Sequence, residues 1–460
     1  MPLLIKNGEM VTADSRAKAD IYVENETISR IGRRLDADAL PGTEIIDATG
    51  KYIFPGFIDP HVHIYLPFMS TFAKDTHETA SISALVGGTT TYIEMCCPSR
   101  QDDALEGYEL WKQKAAGKSA CDYTFHMAVS KFGAETEGQL REIVKDGINS
   151  FKIFLAYKDF FGVEDGEMYQ TMALARKLGV IVTAHCENAE LVARLQQELL
   201  AAGKSGPEWH EPSRPESVEA EGTHHFATFL ENTGAAGYVV HLSCAPALKA
   251  AIAAKKRGVR IHIESVLPHF LLDKTLAEQP GVEGMKHVMS PPLRDVRNQK
   301  HLWDALNAGL IDTVGTDHCP FDTEQKLLGK DAFTQIPNGI PGIEERVNLL
   351  YSYGVRTGRL DLHRFVEAAS TKAAKLFGLF PRKGTIALGA DADLVIFDPA
   401  HRGVISVKTQ HVNNDYNGFE GMKIEGRPSL VTVRGKVQVR DGQFVGERGR
   451  GVLLKREPVH

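Results

Sequence analysis

The chain has no run of about 18 consecutive apolar residues, the least a bilayer-crossing helix needs. Its first residues, MPLLIKNGEM, lack a basic segment followed by an apolar one, so a cytoplasmic protein is expected, with no membrane partner. Cysteine is scarce: Cys96, Cys97, Cys121, Cys186, Cys244 and Cys319 form no CxxC pair, which argues against a disulfide framework or a thiolate zinc site and leaves packed thiols. Charge of one sign is lacking too. With 53 Lys+Arg against 59 Asp+Glu there is no basic footprint for nucleic acid, and a small-molecule substrate is expected instead. The rest, 43% hydrophobic and 24% charged, is an ordinary globular composition. At 460 residues the chain exceeds what one core usually serves, which predicts a large catalytic domain plus a smaller one.

What is present is an alternation. Short β-branched runs, FPGFID (54–59), TTTYIEM (89–95), DYTFHMAV (122–129), SFKIFL (150–155), VIVTAH (180–185), GYVVH (237–241), RIHIES (260–265) and DTVGTD (312–317), are separated by helical stretches. Those stretches, such as GQLREIVKDG, MYQTMALARKLG and NAELVARLQQELLAAG, have the helical period and end in Gly. Eight such units predict an α/β protein, a (β/α)8 TIM barrel over residues 54–383 with functional residues at the carboxyl ends of its strands. An open doubly wound sheet is the alternative that the same alternation permits. Residues 1–53 read instead as short strands and tight turns, with Asn7-Gly8 as a hairpin signal. DADLVIFDP (391–399) and LVTVRGKVQVRDGQFVG (430–446) repeat that texture, so residues 1–53 and 384–448 are expected to meet in one strand-only unit, with 449–460 as a carboxyl-terminal tail.

Candidate ligands fall at the strand ends. In Asp59-Pro60-His61-Val62-His63, two histidines at i and i+2 on a strand face the same side and can grip one ion. An HxH pair alone is weak, since histidine is also a common polar loop residue. The weight comes from His185 ending VIVTAH, His241 ending GYVVH and Asp317 ending DTVGTD, each delivered to the same mouth. Lys152, inside SFKIFL, is either a snorkelling lysine or a buried amine that must lose its charge or find anions. A neutral amine can add carbon dioxide, and the resulting carbamate offers two oxygens able to bridge cations about 3.5 to 4 Å apart. The carbamate and Asp317 would supply the negative charge that four neutral imidazoles lack.

The segments GFIDPHVH, SFKIFLAY, TAHCEN, VVHLS, MSPPLR, TDHCPF and IPNGIPGIEERV, in this order, resemble the cyclic amidohydrolases of the D-hydantoinase and dihydropyrimidinase family, from IKNG to about residue 445. The resemblance implies a barrel flanked by a β-sandwich built from both termini, and a homotetramer or homodimer. It implies two divalent metal ions, with Zn2+ the default and Mn2+ or Co2+ equally suited to such ligands. His61, His63, carboxylated Lys152 and Asp317 would hold one ion; Lys152, His185 and His241 would hold the other. Asp317 would be the general base, Tyr157 the hydrogen-bond donor to the developing oxyanion, and Ser290 and Asn338 the residues that bind the ring amide. The implied reaction opens hydantoins, with D selectivity, and dihydropyrimidines to N-carbamoyl amino acids.

Enzymes of this kind that act on dihydroorotate place an arginine shortly after HxH. Here His63 is followed by Ile64-Tyr65-Leu66-Pro67-Phe68, with no cation. An apolar ring substituent is therefore expected to rest on Leu66, Phe68, Phe154 and Phe161. Allantoinase and dihydroorotase activities, the alternatives within the enzyme class, call for a polar or charged pocket. A non-catalytic scaffold of the same fold is the alternative from another class, and the intact set of six ligand positions plus Tyr157 stands against it.

Overall fold

The computed structural model describes residues 2–35 and 41–460; residues 1 and 36–40 of the expected amino-terminal unit lie outside the described residues. Each of the eight β-branched runs contains a strand: β1 (Phe57–Val62), β2 (Thr89–Cys96), β3 (Asp122–Ala128), β4 (Ser150–Phe154), β5 (Ile181–His185), β6 (Ala236–Val239), β7 (Ile261–Val266) and β8 (Thr313–Gly315). They pair in parallel in chain order. Helices such as Ala134–Lys145, Asp165–Leu178 and Ala189–Ala201 lie between them. Parallel strands covered on both faces read as near-continuous apolar runs, and every residue of β2 and β3 is buried.

The ring closes at its mouth. The Asp317 amide donates to the His61 carbonyl at 3.0 Å, and the His63 amide donates to the His318 carbonyl at 2.8 Å. Those bonds join the two ends of the sheet, so the architecture is the barrel and not the open doubly wound sheet.

Among the described residues the strands of both termini form a second, separate sheet of nine strands, in which Tyr52–Pro55 pairs with Leu3–Val11 on one side and Leu394–Val404 on the other. Its own small core contains Leu3, Ile5, Ile21, Ile53, Leu394 and Ile396. The expected hairpin at Asn7-Gly8 is not a turn. Both residues lie inside the strand Leu3–Val11, where the register shifts between Ile5 and Gly8 and Asn7 takes φ 63°. Gly8 is required because a Cβ there would lie 2.4 Å from Ile53 Cδ1, so the dipeptide makes a bulge against the core rather than a reversal. The left-handed pair that does reverse the chain is Asn25-Glu26, at φ 50° and 70° between the strands Arg16–Glu24 and Thr27–Gly32.

At the floor of the barrel, Lys383 Nζ meets Asp122, Asp393 and Asp391 at 2.6, 2.7 and 3.0 Å, and Arg434 also pairs with Asp122. Residues of the carboxyl-terminal tail strap this end: the Leu454 amide donates to the Tyr123 carbonyl at 2.8 Å, and buried Arg456 donates to Ser150 Oγ at 3.2 Å and to the Phe125 carbonyl. All six cysteines are buried and free. Among the described residues no helix is long and apolar enough to cross a membrane.

Candidate metal centre

The strand ends deliver their side chains to one cavity. His61 and His63 leave β1 with Nε2 atoms 3.3 Å apart, and each lies 3.1 Å from Asp317 Oδ1. Among the described residues these three offer ligand atoms that all lie within 4.8 Å of one another. On the facing wall His185, the last residue of β5, points Nδ1 at His241 Nε2 across 3.0 Å. Lys152, in β4 opposite Thr183 of β5, is fully buried, and its Nζ has no hydrogen-bond partner among the described residues.

Three of these residues lie past their strands, His63 directly after Val62. His241 and Asp317 each lie two residues beyond the last strand residue, Val239 and Gly315, with φ 39° and 53°. Tyr157 follows β4 at φ 58°. Left-handed backbone at a non-glycine residue costs of order 1 to 3 kcal/mol and persists where the surroundings over-determine it. Here they do. The Glu264 carboxylate accepts from the His241 amide at 2.9 Å, and the Tyr157 carbonyl accepts from the amides of Phe160, Phe161 and Gly162 at 2.8 to 2.9 Å.

Two carboxylates that the sequence reading passed over orient the histidines. Glu264 Oε1 lies 2.8 Å from His61 Nδ1, while its Oε2 accepts from Tyr238 at 2.7 Å. Glu187 Oε2 lies 2.7 Å from His185 Nε2 and is paired with Arg214 at 2.5 Å. A carboxylate on the outer nitrogen fixes ring orientation and leaves the inner nitrogen to an ion. Glu187, two residues after His185, could have been found by its spacing. Glu264 is 203 residues from His61 and has no such local signal.

Electrostatics follow the same division. Burial opposes charge on His61, yet Asp317 and Glu264 raise it to about 9, and His61 in turn holds Asp317 well below the usual carboxylate range despite burial. Burial pushes the Lys152 amine down to about 8. Burial also lowers His63, His185 and His241. Three imidazoles kept neutral by burial, a fourth, His61, whose proton a bound cation would displace, one carboxylate and one unpartnered amine are a donor set that fits divalent cations of the Zn2+, Mn2+ or Co2+ kind.

Every other residue singled out from the sequence also borders this cavity. His63, Lys152, His185, His241 and Asp317 line it together with Tyr157, Ser290 and Asn338 and with Leu66, Phe68, Phe154 and Phe161. Asn338 Nδ2 donates to Tyr157 Oη at 3.2 Å. The rings of Phe154 and Phe161 stack at 5.3 Å, those of Phe68 and Phe161 at 6.0 Å, and Tyr157 stands edge-on to Phe68 at 5.5 Å. The space holds a polar rim and an apolar wall, enough to orient a small ring with one apolar substituent.

Residues 52–438 match the model of the amidohydrolase family. The chain is similar to a solved D-hydantoinase (dihydropyrimidinase) from Thermus sp., at 80% identity and a TM-score of 0.98 over 99% of each chain. It is 46% identical to the D-hydantoinase of Geobacillus stearothermophilus, covering 99% of this chain and 97% of that one. It is 39% identical to the dihydropyrimidinase of Rattus norvegicus, covering 99% and 89%. With the family match spanning the whole barrel and full-length relatives covering 99% of the chain, the chain belongs to the amidohydrolase family.

Proposed function

We propose that this protein hydrolyses the cyclic amide bond of 5-substituted hydantoins and of dihydropyrimidines, releasing N-carbamoyl amino acids, with a D preference among hydantoins. The observation that carries the reading is the orphaned, buried amine of Lys152, which borders the same cavity as His63, His185, His241 and Asp317. Relatives named for these two activities align over nearly the whole chain.

His61, His63, Asp317 and a carboxylated Lys152 would hold one divalent ion, and Lys152, His185 and His241 a second, most simply zinc. When bound, such a pair makes hydroxide available at neutral pH and polarises the scissile carbonyl. The chain's own residues do the rest. Asp317 takes the proton of the attacking water on a carboxylate oxygen and returns it to the leaving ring nitrogen, a role that needs only hydrogen-bond reach. Tyr157 donates from Oη to the carbonyl oxygen as it gains charge. Ser290 and Asn338 hold the ring amide, while Leu66, Phe68, Phe154 and Phe161 exclude water and face the substituent. No cation follows HxH to receive a carboxylate, which favours this reading over dihydroorotate, and the apolar lining favours it over allantoin with its polar ureido substituent.

The test is a rate comparison on protein loaded with zinc, manganese or cobalt in the presence of bicarbonate. Dihydrouracil and one hand of 5-phenylhydantoin should be opened faster than dihydroorotate or allantoin. Metal-loaded protein inert towards both favoured rings would refute the assignment.

A further inference from the structure

Lys326 ends the short helix Thr323–Lys326 and is fully buried. Its Nζ donates to three main-chain carbonyls, those of Val288 at 2.9 Å, Pro337 at 2.7 Å and Gly339 at 2.7 Å. An ammonium has three N–H donors and no acceptor, so these carbonyls use all of it. No carboxylate pairs with it among the described residues, and burial pushes the amine down to about 7, but three acceptors around Nζ match the protonated form, which alone has three N–H donors. An apolar residue would fill the same space without that desolvation, and a buried charge is therefore a poor device for stability alone.

The position of the three carbonyls explains the charge. Val288 immediately precedes Met289-Ser290, and Pro337 and Gly339 flank Asn338 on either side. Ser290 and Asn338 both border the catalytic cavity. The two segments also touch directly, the Gly339 amide donating to the Val288 carbonyl at 3.0 Å. Gly339 is at φ 147°, and a Cβ there would lie 2.4 Å from the Cys319 carbonyl, so the segment is held from its other side as well. The preceding residue, Gln325, donates to Thr71 Oγ1 at 2.8 Å and to the Phe72 carbonyl at 2.7 Å, reaching the hairpin that carries Phe68.

We propose that Lys326 is a positioning residue for substrate recognition: its ammonium fixes the separation of the two main-chain segments that grip the ring amide. It sets affinity for the ring and leaves the chemistry at the metal centre untouched. The proposal rests on the cyclic-amide reading above.

The test compares Lys326→Met with the wild type, both metal-loaded, on dihydrouracil and 5-phenylhydantoin. KM should rise by about tenfold or more while kcat stays within about threefold and metal content is unchanged. A wild-type KM, or a fall in kcat together with lost metal, would overturn it. Should Lys326→Met not fold, Lys326→Arg keeps the cation, but its planar fork cannot radiate three donors from a single atom to the three carbonyls. There a KM rise of about fivefold is expected, and a wild-type KM sinks the proposal. Calorimetric titration with uracil, whose ring carries the same amide edge, repeats the comparison without turnover. Binding by the wild type that is weakened about tenfold in the variant supports Lys326 as the staple, and equal binding refutes it alone. A wild type silent in both assays refutes the cyclic-amide reading and this proposal with it.

Discussion

Lys152 and Lys383 are both buried in the same barrel, one at its mouth and one at its floor. Lys383 faces three aspartates within 3.0 Å, and they hold its charge well above the ordinary lysine range against the burial that opposes it. Lys152 has no hydrogen-bond partner among the described residues and is pushed down to about 8. Equal burial therefore makes a strut of one side chain and a reactive amine of the other. Left-handed backbone occurs at both ends, at His241, Asp317 and Tyr157 around the mouth and at Arg434 on the floor, so it is the partners of the two lysines and not strain that separate the ends.

Substitutions at the two ends should separate function from stability. The largest effect belongs to Lys152→Ala, which should abolish turnover by several orders of magnitude with little change in melting temperature; short carboxylic acids should restore part of it by standing in for the carbamate. Wild-type rates in that variant without added acid would remove the bridging role. Lys383→Met should do the reverse. Leaving Asp122, Asp391 and Asp393 without Lys383 should cost about 3 to 5 kcal/mol in denaturant unfolding, with kcat per folded molecule unchanged. Lost activity at unchanged stability would mean that the floor and the mouth are not separable.

Tyr157→Phe removes one donor at the mouth and should lower kcat by about 10²- to 10³-fold, about 2.7 to 4 kcal/mol of transition-state stabilisation, leaving metal content alone. A kcat within twofold of the wild type would assign the oxyanion to another donor. The smallest effect lies at the floor, at Asp146. Burial works against its charge, but Lys455, Tyr108 and Lys112 hold it down to about 2. A folded value below the unfolded one of about 3.9 contributes stability that is present above pH 4 and lost as the pH falls towards 2. Asp146→Asn should therefore lower stability by at most about 1 kcal/mol at pH 7, the group being partly exposed, and by nothing near pH 2. A penalty of equal size at both pH values would contradict the ionic origin.

The barrel was legible because parallel strands buried on both faces must be apolar throughout, so eight β-branched runs stand out between helical periods. The candidate ligands stood out because the same fold sends strand ends to one rim, and the structure brings His61, His63, Lys152, His185, His241 and Asp317 to that rim. What supports them did not stand out. Glu264 meets His61 from 203 positions away, and Lys326, in the polar run TEQKLLGK, bonds to main-chain carbonyls that no residue type announces. Asn7-Gly8 misled for a related reason: the dipeptide states a backbone preference, and packing against Ile53 decided whether it became a turn or a bulge.

The sequence by itself determined which residues could carry metal chemistry and that their strands would alternate with helices, since periodicity and residue type act locally. Tertiary structure alone decided which carboxylate steadies which imidazole, which buried lysine meets anions and which meets none, and where the first strand bonds to the last. Those outcomes depend on Coulomb and hydrogen-bond contacts between distant positions, and such contacts exist only once the chain has closed on itself.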